Sequence, residues 1–263
     1  VLPILTLTTD FGDCDTYVAQ MKGVILSLAP DVHLVDVTHQ ISPGDIRAGA
    51  LALASILPHY PAGTVHLAVV DPGVGTSRRA LAVQTPTARA VGPDNGVLTP
   101  ILEQPDAVVH EVRGGCFWRA SPSPTFHGRD LFAPACAHIL AGEPMDGLGA
   151  PIADPVRLPA SPLSEHREGV DGVIVATDRF GNLITNIRDH ILVHHEGERM
   201  LLIRVAGREI NGLVRTYAEA QGREPIAVLG SGGFLEIAIS GGSAREVLDA
   251  DIGTAVEVRW CLR

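Results

Sequence analysis

Lysine is almost missing from this 263-residue sequence, Lys22 being the only one. Lysine and arginine together number 20 against 30 aspartates and glutamates, for a formal net charge of −10. That balance argues against a binder of nucleic-acid phosphates, which needs a basic stripe, and suits a small cationic substrate better. The preference for arginine over lysine, with frequent Ala and Gly, reads as genomic base composition and carries no functional weight. The four cysteines, Cys14, Cys116, Cys136 and Cys261, show no CxxC spacing, so neither a zinc knuckle nor a thioredoxin-like pair is supported. Reduced thiols in a cytoplasmic protein are the expectation. No apolar run reaches the length of a membrane helix, and residues 1–9 alternate like a strand rather than like a signal peptide, so no membrane partner is expected. There is no Walker loop. Gly73-Val74-Gly75 begins like a dinucleotide loop, but Arg78 stands where the third glycine must be. Asp10-Phe11-Gly12 has no Gly-rich loop ahead of it to make it a kinase element, and Gly230-Ser231-Gly232 lacks the spacing of a nucleophile elbow.

What remains is a packed globular chain: 46% of residues are hydrophobic and 19% charged, and a chain this long buries roughly 70% of its unfolded surface without disulfides. Residues 1–150 alternate short apolar runs with amphipathic stretches, which predicts an α/β domain with a central sheet flanked by helices. Strands are expected at 4–8, 33–36, 65–70, 81–84 and 108–112, and helices at 16–28, 43–57 and 130–141. The second helix, rich in Ala and Leu nearly all round, should be covered on both faces. Residues 151–168 carry Pro151, Pro155, Pro159 and Pro162 and read as a Pro-rich linker. Residues 169–263 read as a smaller all-β barrel domain, with strands at 172–177, 183–187, 200–205, 226–229, 234–239 and 255–260.

Polar residues gather where strands should end, at 8–12, 71–75, 92–96 and 126–130. Ligands of open α/β sheets bind outside the carboxyl ends of strands, so these clusters point to one shared site. Taken singly, Asp10 reads first as a helix N-cap; four such clusters together favour function. Asp10, Asp15, Asp71, Asp94, His127 and Asp130 could supply oxygen and nitrogen ligands, but none has tight ligand spacing, and no metal is expected. His190, His194 and His195 lack the glutamate of a zincin and read as a surface feature. Asp71, Arg78 and His127 make a better chemical group. A carboxylate beside a guanidinium stays ionised, and a neighbouring imidazole exchanges a proton near neutrality, so the trio could orient and partly deprotonate water. A structural Asp/Arg pair with a helix-capping His is the equal alternative.

Seven segments, namely 8–12, Gln20-Met21-Lys22-Gly23, Asp36-Val37-Thr38-His39, 70–75, 92–96, 126–130 and Asp178-Arg179-Phe180-Gly181-Asn182, together resemble the S-adenosyl-L-methionine (SAM) hydroxide adenosyltransferases. These are SAM hydrolases related to the fluorinases and chlorinases. The resemblance implies an N-terminal α/β domain, a C-terminal β-barrel, and a homotrimer whose sites lie between one subunit's N-domain and its neighbour's C-domain. It also implies the reaction, SAM and water giving adenosine and L-methionine, with no metal or other cofactor. Matched position by position, Asp71, Arg78 and His127 are the water-activating trio, and Arg78 rather than Arg79 has the matching seven-residue spacing. Asp10 matches the acceptor of the ribose 2′ and 3′ hydroxyls. Phe180 and Asn182 match adenine-stacking and hydrogen-bonding positions, and Asp178 and Ser231 match positions around the methionine amino and carboxylate groups. Asp15 and Asn95 match substrate-binding positions more loosely. The halide enzymes carry tyrosine at the place of Asp71, where a carboxylate would repel an incoming anion. Gly44 stands where the fluorinase has an aromatic, and the long fluorinase insertion after Gln84 is missing, whereas Gly128 is shared with the chlorinase. A SAM-dependent halogenase and a SAM- or adenosine-binding sensor are the alternatives.

Overall fold

The computed structural model describes residues 2–115, 117–193, 199–220 and 222–262; Cys116, His194 and His195 lie outside the described residues. Two compact units divide the chain after Leu158. In the first, a six-stranded sheet has the order β2-β1-β3-β5-β4-β6, with β1 Ile4–Thr9, β2 His33–Thr38, β3 Val65–Val69, β4 Ala80–Gln84, β5 Arg89–Pro93 and β6 Val108–Glu111. Strands β2, β1, β3 and β5 are parallel, while β4 runs antiparallel to both β5 and β6. Helix α1 (Tyr17–Leu28) and helix α4 (Ala133–Leu140) cover one face, where Met21, Ile25, Phe132, Cys136 and Ile139 pack with Leu5, Leu7 and Leu67. Helix α2 (Ile46–Ile56) and the short α3 (Thr99–Leu102) cover the other, through Leu53, Leu98 and Ile101 against Val70, Val83 and Ala90. A short helix α5 (Met145–Leu148) follows.

Three local outcomes differ from the pattern of the sequence. Strand β5 lies inside the sheet although Gly92 and Pro93 suggest a loop. Pro93 is its last residue, and a Cβ on Gly92 would sit 2.4 Å from the Ala68 carbonyl oxygen, so only glycine allows β3 and β5 to approach here. Helix α2 starts at Ile46, where the Asp45 carboxylate accepts from Ala48 N at 2.9 Å. It buries one face, Gly49, Ala50 and Leu53, and leaves Ala54 and Ser55 exposed, so it is not covered all round. The third expected helix opens as a wide π turn over Gly128–Phe132 before becoming α4.

The second unit is an antiparallel sheet of order β11-β10-β14-β8-β9-β13-β12, with β7 paired to β8. Its strands are β7 Ser164–His166, β8 Gly169–Thr177, β9 Leu183–Arg188, β10 Arg199–Val205, β11 Arg208–Asn211, β12 Pro225–Leu229, β13 Phe234–Ile239 and β14 Ala255–Leu262. Helices α6 (Asp189–Val193) and α7 (Ala244–Leu248) are single turns. Beyond β11, Val214 N donates to the Ala227 carbonyl of β12 at 2.9 Å, which nearly closes the path into a barrel. Alternate residues point inward to one core, including Ile174, Leu183, Ile203, Ile237 and Val258. Strands β7 and β11, three and four residues long, are too short for the sequence to show.

The Pro-rich stretch is divided. Val156 N donates to Asp94 Oδ1 at 2.7 Å and Leu158 N to Thr99 Oγ1 at 2.9 Å, within the first unit. In the second unit, Asn186 Nδ2 donates to the Pro162 carbonyl at 2.8 Å. No helix among the described residues is long and apolar enough to cross a membrane.

Candidate active site

The strand order places a switch point between β1, from which the chain passes to β2 on one side, and β3 on the other. The register pairs Thr9 with Val69, so Asp10 and Asp71 both leave the sheet at its carboxyl edge. Asn95 leaves β5 at the same edge; its Nδ2 donates to the Val70 carbonyl at 2.8 Å and its Oδ1 accepts from Val97 N at 3.1 Å. One end of this side chain therefore ties the backbone beside Asp71, and the other braces its own loop.

Asp71, Arg78 and His127 come together here. Arg78 Nε donates to both Asp71 oxygens, at 3.0 and 3.1 Å, and Nη2 donates to Oδ2 at 2.5 Å. The same Nη2 lies 2.7 Å from His127 Nδ1. A guanidinium has no acceptor, so Nδ1 must be the acceptor and the ring proton resides on Nε2. The side chains of Asp71 and Arg78 are 5% and 9% exposed, and the Arg78 guanidinium stacks over the Phe132 ring at 5.0 Å. Burial and then the Arg78 charge hold the His127 pKa below its ordinary value of 6.5, outweighing Asp71 and Asp130, which act the other way. His127 reaches the trio because the loop before it packs on the loop after β3. Gly75, at φ +78°, would place a Cβ 2.5 Å from the Pro124 carbonyl oxygen. A cavity of about 370 Å³ borders Arg78 and His127, with Thr76, Arg113, Trp118 and Leu131 in its walls.

The neighbouring charges are engaged elsewhere. Arg79 Nε donates to the buried Asp94 at 2.7 Å and Nη1 to Asp154 at 2.8 Å, leaving Arg78 alone for Asp71. Asp130, fully buried, takes Arg129 on both oxygens and the Ser123 amide. Burial would raise its pKa, but these donors hold it low. With Asp71, Asp94 and Asp130 each bound to a guanidinium, no group of three or more His, Cys, Asp or Glu among the described residues is arranged to hold a metal ion.

Asp10 is not a helix cap. Helix α1 begins seven residues later with Thr16 at its N-cap, and Asp10 Oδ2 accepts from Gly44 N at 2.8 Å. Asp15 is exposed in the same loop.

The remaining positions belong to the second unit. Asp178, Phe180 and Asn182 share the turn between β8 and β9. Asp178 Oδ1 accepts from the amides of Phe180 and Asn182, each at 2.9 Å, and Oδ2 accepts from Asn182 Nδ2 at 2.8 Å. Gly181, at φ +84°, would place a Cβ 2.2 Å from Ser243 Oγ, so the turn is held from beneath as well. On this rigid turn Phe180 is 77% exposed; it is not packed in the barrel. Ser231 is exposed in a different turn, between β12 and β13. Because Phe234 pairs with Arg188 and Ile237 with Leu183, that turn stands at the other end of β9 from Asn182. Phe132 and His39 are site neighbours that the sequence did not single out individually, although Asp36–His39 formed part of a motif; Gly44, at the place of the fluorinase aromatic, proves to be the amide donor to Asp10.

Residues 5–149 match a family model described as the SAM hydroxide adenosyltransferase N-terminal domain, and residues 172–257 match the corresponding C-terminal domain. The chain is 41% identical to the (R)-S-adenosyl-L-methionine hydrolase of Thermus thermophilus, over 95% of this chain and 97% of that one. It is 33% identical to a protein named fluorinase from an Actinoplanes species, over 90% of each. A solved structure of an uncharacterized conserved protein from Thermotoga maritima superposes with a TM-score of 0.90 at 33% identity, covering 97% of this chain and 99% of that one. With both family domains matched in order and the α/β sheet and barrel in place, this chain belongs to the SAM hydroxide adenosyltransferase family.

Proposed function

We propose that this protein hydrolyses SAM to adenosine and L-methionine, with the attacking oxygen held by Asp71, Arg78 and His127. The observation that carries the reading is the bridge by which one guanidinium, itself nearly buried, donates to both Asp71 and His127. Arg78 holds both oxygens of the Asp71 carboxylate and fixes His127 as the neutral tautomer with its proton on Nε2. A water placed among them donates one hydrogen to Asp71 and accepts from His127 Nε2–H, leaving a lone pair for C5′ of SAM. The C5′–S pair departs onto sulfur, turning the sulfonium into the neutral thioether of methionine, so no acid is needed for the leaving group. The new C5′–O bond places positive character on the water oxygen, and its proton passes to Asp71 and then to solvent.

In the same reading Asp10 takes the ribose hydroxyls, with Asp15 nearby and Asn95 steadying the loop beside Asp71. Phe180 stacks on adenine and Asn182 bonds it; of the two positions the resemblance gives to the amino-acid end, Asp178 braces the adenine turn and Ser231 stands at the other end of β9, so the two do not share one contact with the amino acid. The exposure of Phe180 on a braced turn supports the stacking role, since a folded chain gains nothing in its own core from such a ring. We further propose a cytoplasmic, metal-independent homotrimer in which one subunit's first unit works with its neighbour's second, as the family resemblance implies. The carboxylate of Asp71 disfavours halide as nucleophile. Gly128 does not argue for it, because a Cβ there would press on Met21 and Phe11 at 3.2 Å.

The test is chromatography of chelator-treated protein incubated with SAM, with and without chloride. Equal amounts of adenosine and methionine without halide are expected. Intact SAM retained by the protein would point instead to a sensor, and 5′-chloroadenosine to a halogenase.

A further inference from the structure

Asp10 stands just past the end of β1, in a stretch without regular structure whose residues 13–16 are exposed. What holds its carboxylate in place comes from one other segment, residues 39–44 between β2 and α2. Gly44 N donates to Asp10 Oδ2 at 2.8 Å, and Gly12 N donates to the His39 carbonyl at 2.7 Å. Gln40 Nε2 donates to Asp13 Oδ2. The His39 ring, 6% exposed, hydrogen-bonds through Nδ1 to Thr9 Oγ1 at 2.8 Å. Thr9 Oγ1 also accepts from Phe11 N at 3.3 Å, so the same hydroxyl ties the His39 ring to the backbone on the far side of Asp10. Nε2 lies 3.1 Å from Asp36 Oδ1, without the alignment of a hydrogen bond, and Asp36 Oδ2 in turn meets Lys22 Nζ at 2.5 Å. The two motif segments to which the proposed chemistry gives no task, Gln20–Gly23 and Asp36–His39, thus meet in one chain of contacts. That chain ends on the residue beside Asp10.

We infer that His39 and Gln40 are positioning residues for Asp10, setting its carboxylate for a vicinal diol such as the ribose of the nucleoside. This rests on the proposed role of Asp10. His39 grips the loop on one side of Asp10, through Thr9, and through its carbonyl on the other side, at Gly12. Gln40 extends the grip to Asp13. A carboxylate that must meet two hydroxyls at once is sensitive to displacements well under 1 Å. The reacting C5′ is served by other residues, so loosening the clamp weakens recognition of the diol and leaves the chemical step in place.

The experiment measures dissociation constants of the full chain for adenosine and for 2′,3′-dideoxyadenosine, in the wild type and in His39→Leu, His39→Gln and Gln40→Ala. Kcat and KM for SAM are measured alongside. The wild type should prefer adenosine. His39→Leu should lose roughly three- to tenfold of that preference, the scale of one hydrogen bond, with dideoxyadenosine binding unchanged. KM for SAM should rise with kcat nearly constant, and His39→Gln, whose amide reaches the Thr9 hydroxyl, should restore part of the loss. Gln40→Ala changes an exposed side chain and carries the same comparison should His39→Leu not fold. Equal weakening of both nucleosides, or an unchanged preference in folded variants, would overturn the inference. A wild type that does not distinguish the two nucleosides would remove the ribose role of Asp10 itself, a separate failure.

Discussion

Arg78 Nη2 lies 2.7 Å from His127 Nδ1 and 2.5 Å from Asp71 Oδ2, so one cation addresses the imidazole and the carboxylate together. Because that contact takes the acceptor side of the imidazole, His127 offers a donor at Nε2. Of the two groups that could accept the proton of an attacking water, Asp71 is the one with free acceptor capacity.

Asp71→Asn tests this division. The amide is nearly isosteric but cannot accept the proton, and it weakens the hold on Arg78. Hydrolysis should fall by about 10²–10⁴-fold, the usual scale for a lost general base, while adenosine binding by calorimetry stays close to wild type. Unchanged turnover would remove Asp71 from the mechanism.

The trio requires His127 neutral at Nδ1. Since burial and Arg78 lower its pKa from 6.5, activity should persist to below pH 6.5 and be lost as pH falls through the depressed value. Arg78→Gln removes one of the two causes. An NMR titration of the His127 ring should then show its pKa rising toward 6.5, whereas a downward or absent shift would contradict the bridge.

Phe180→Ala removes a ring that is 77% exposed, so the unfolding free energy should change by no more than about 0.5 kcal/mol. KM for SAM should nevertheless rise about two- to tenfold, the worth of an aromatic stack. A large loss of stability with normal KM would return Phe180 to a structural role.

His66 gives a stability prediction independent of the site. It is buried between Thr6, whose Oγ1 is 2.8 Å from Nδ1, and the edge-on ring of Tyr60, and burial lowers its pKa from 6.5 to about 4. Between these values the unfolded chain binds a proton that the folded chain refuses. The contribution is therefore fully present above pH 6.5 and declines as pH falls toward 4, by on the order of 3 kcal/mol. Denaturant unfolding across that range should show this slope in the wild type and a flatter one in His66→Gln.

The sequence alone was enough for the division into an α/β part and a β part, because hydrophobic alternation and proline placement are local properties of the chain. It also sufficed for the family, through seven short motifs spread over both parts. Strand β5 was missed because its glycine and proline signal a turn locally. The close approach of the Ala68 carbonyl, which makes glycine necessary at position 92, is a long-range contact. In the same way spacing could nominate Arg78 for Asp71, but only the fold gave Arg79 a different partner in Asp94. Asp10 read as a cap because capping is a local pattern, whereas its actual donor, Gly44, lies 34 residues away. The tautomer of His127 and the clamp of residues 39–44 were likewise decided by tertiary structure. Each depends on which atoms of distant segments come within 3 Å, a relation that arises only when parallel strands bring their carboxyl ends to a common edge.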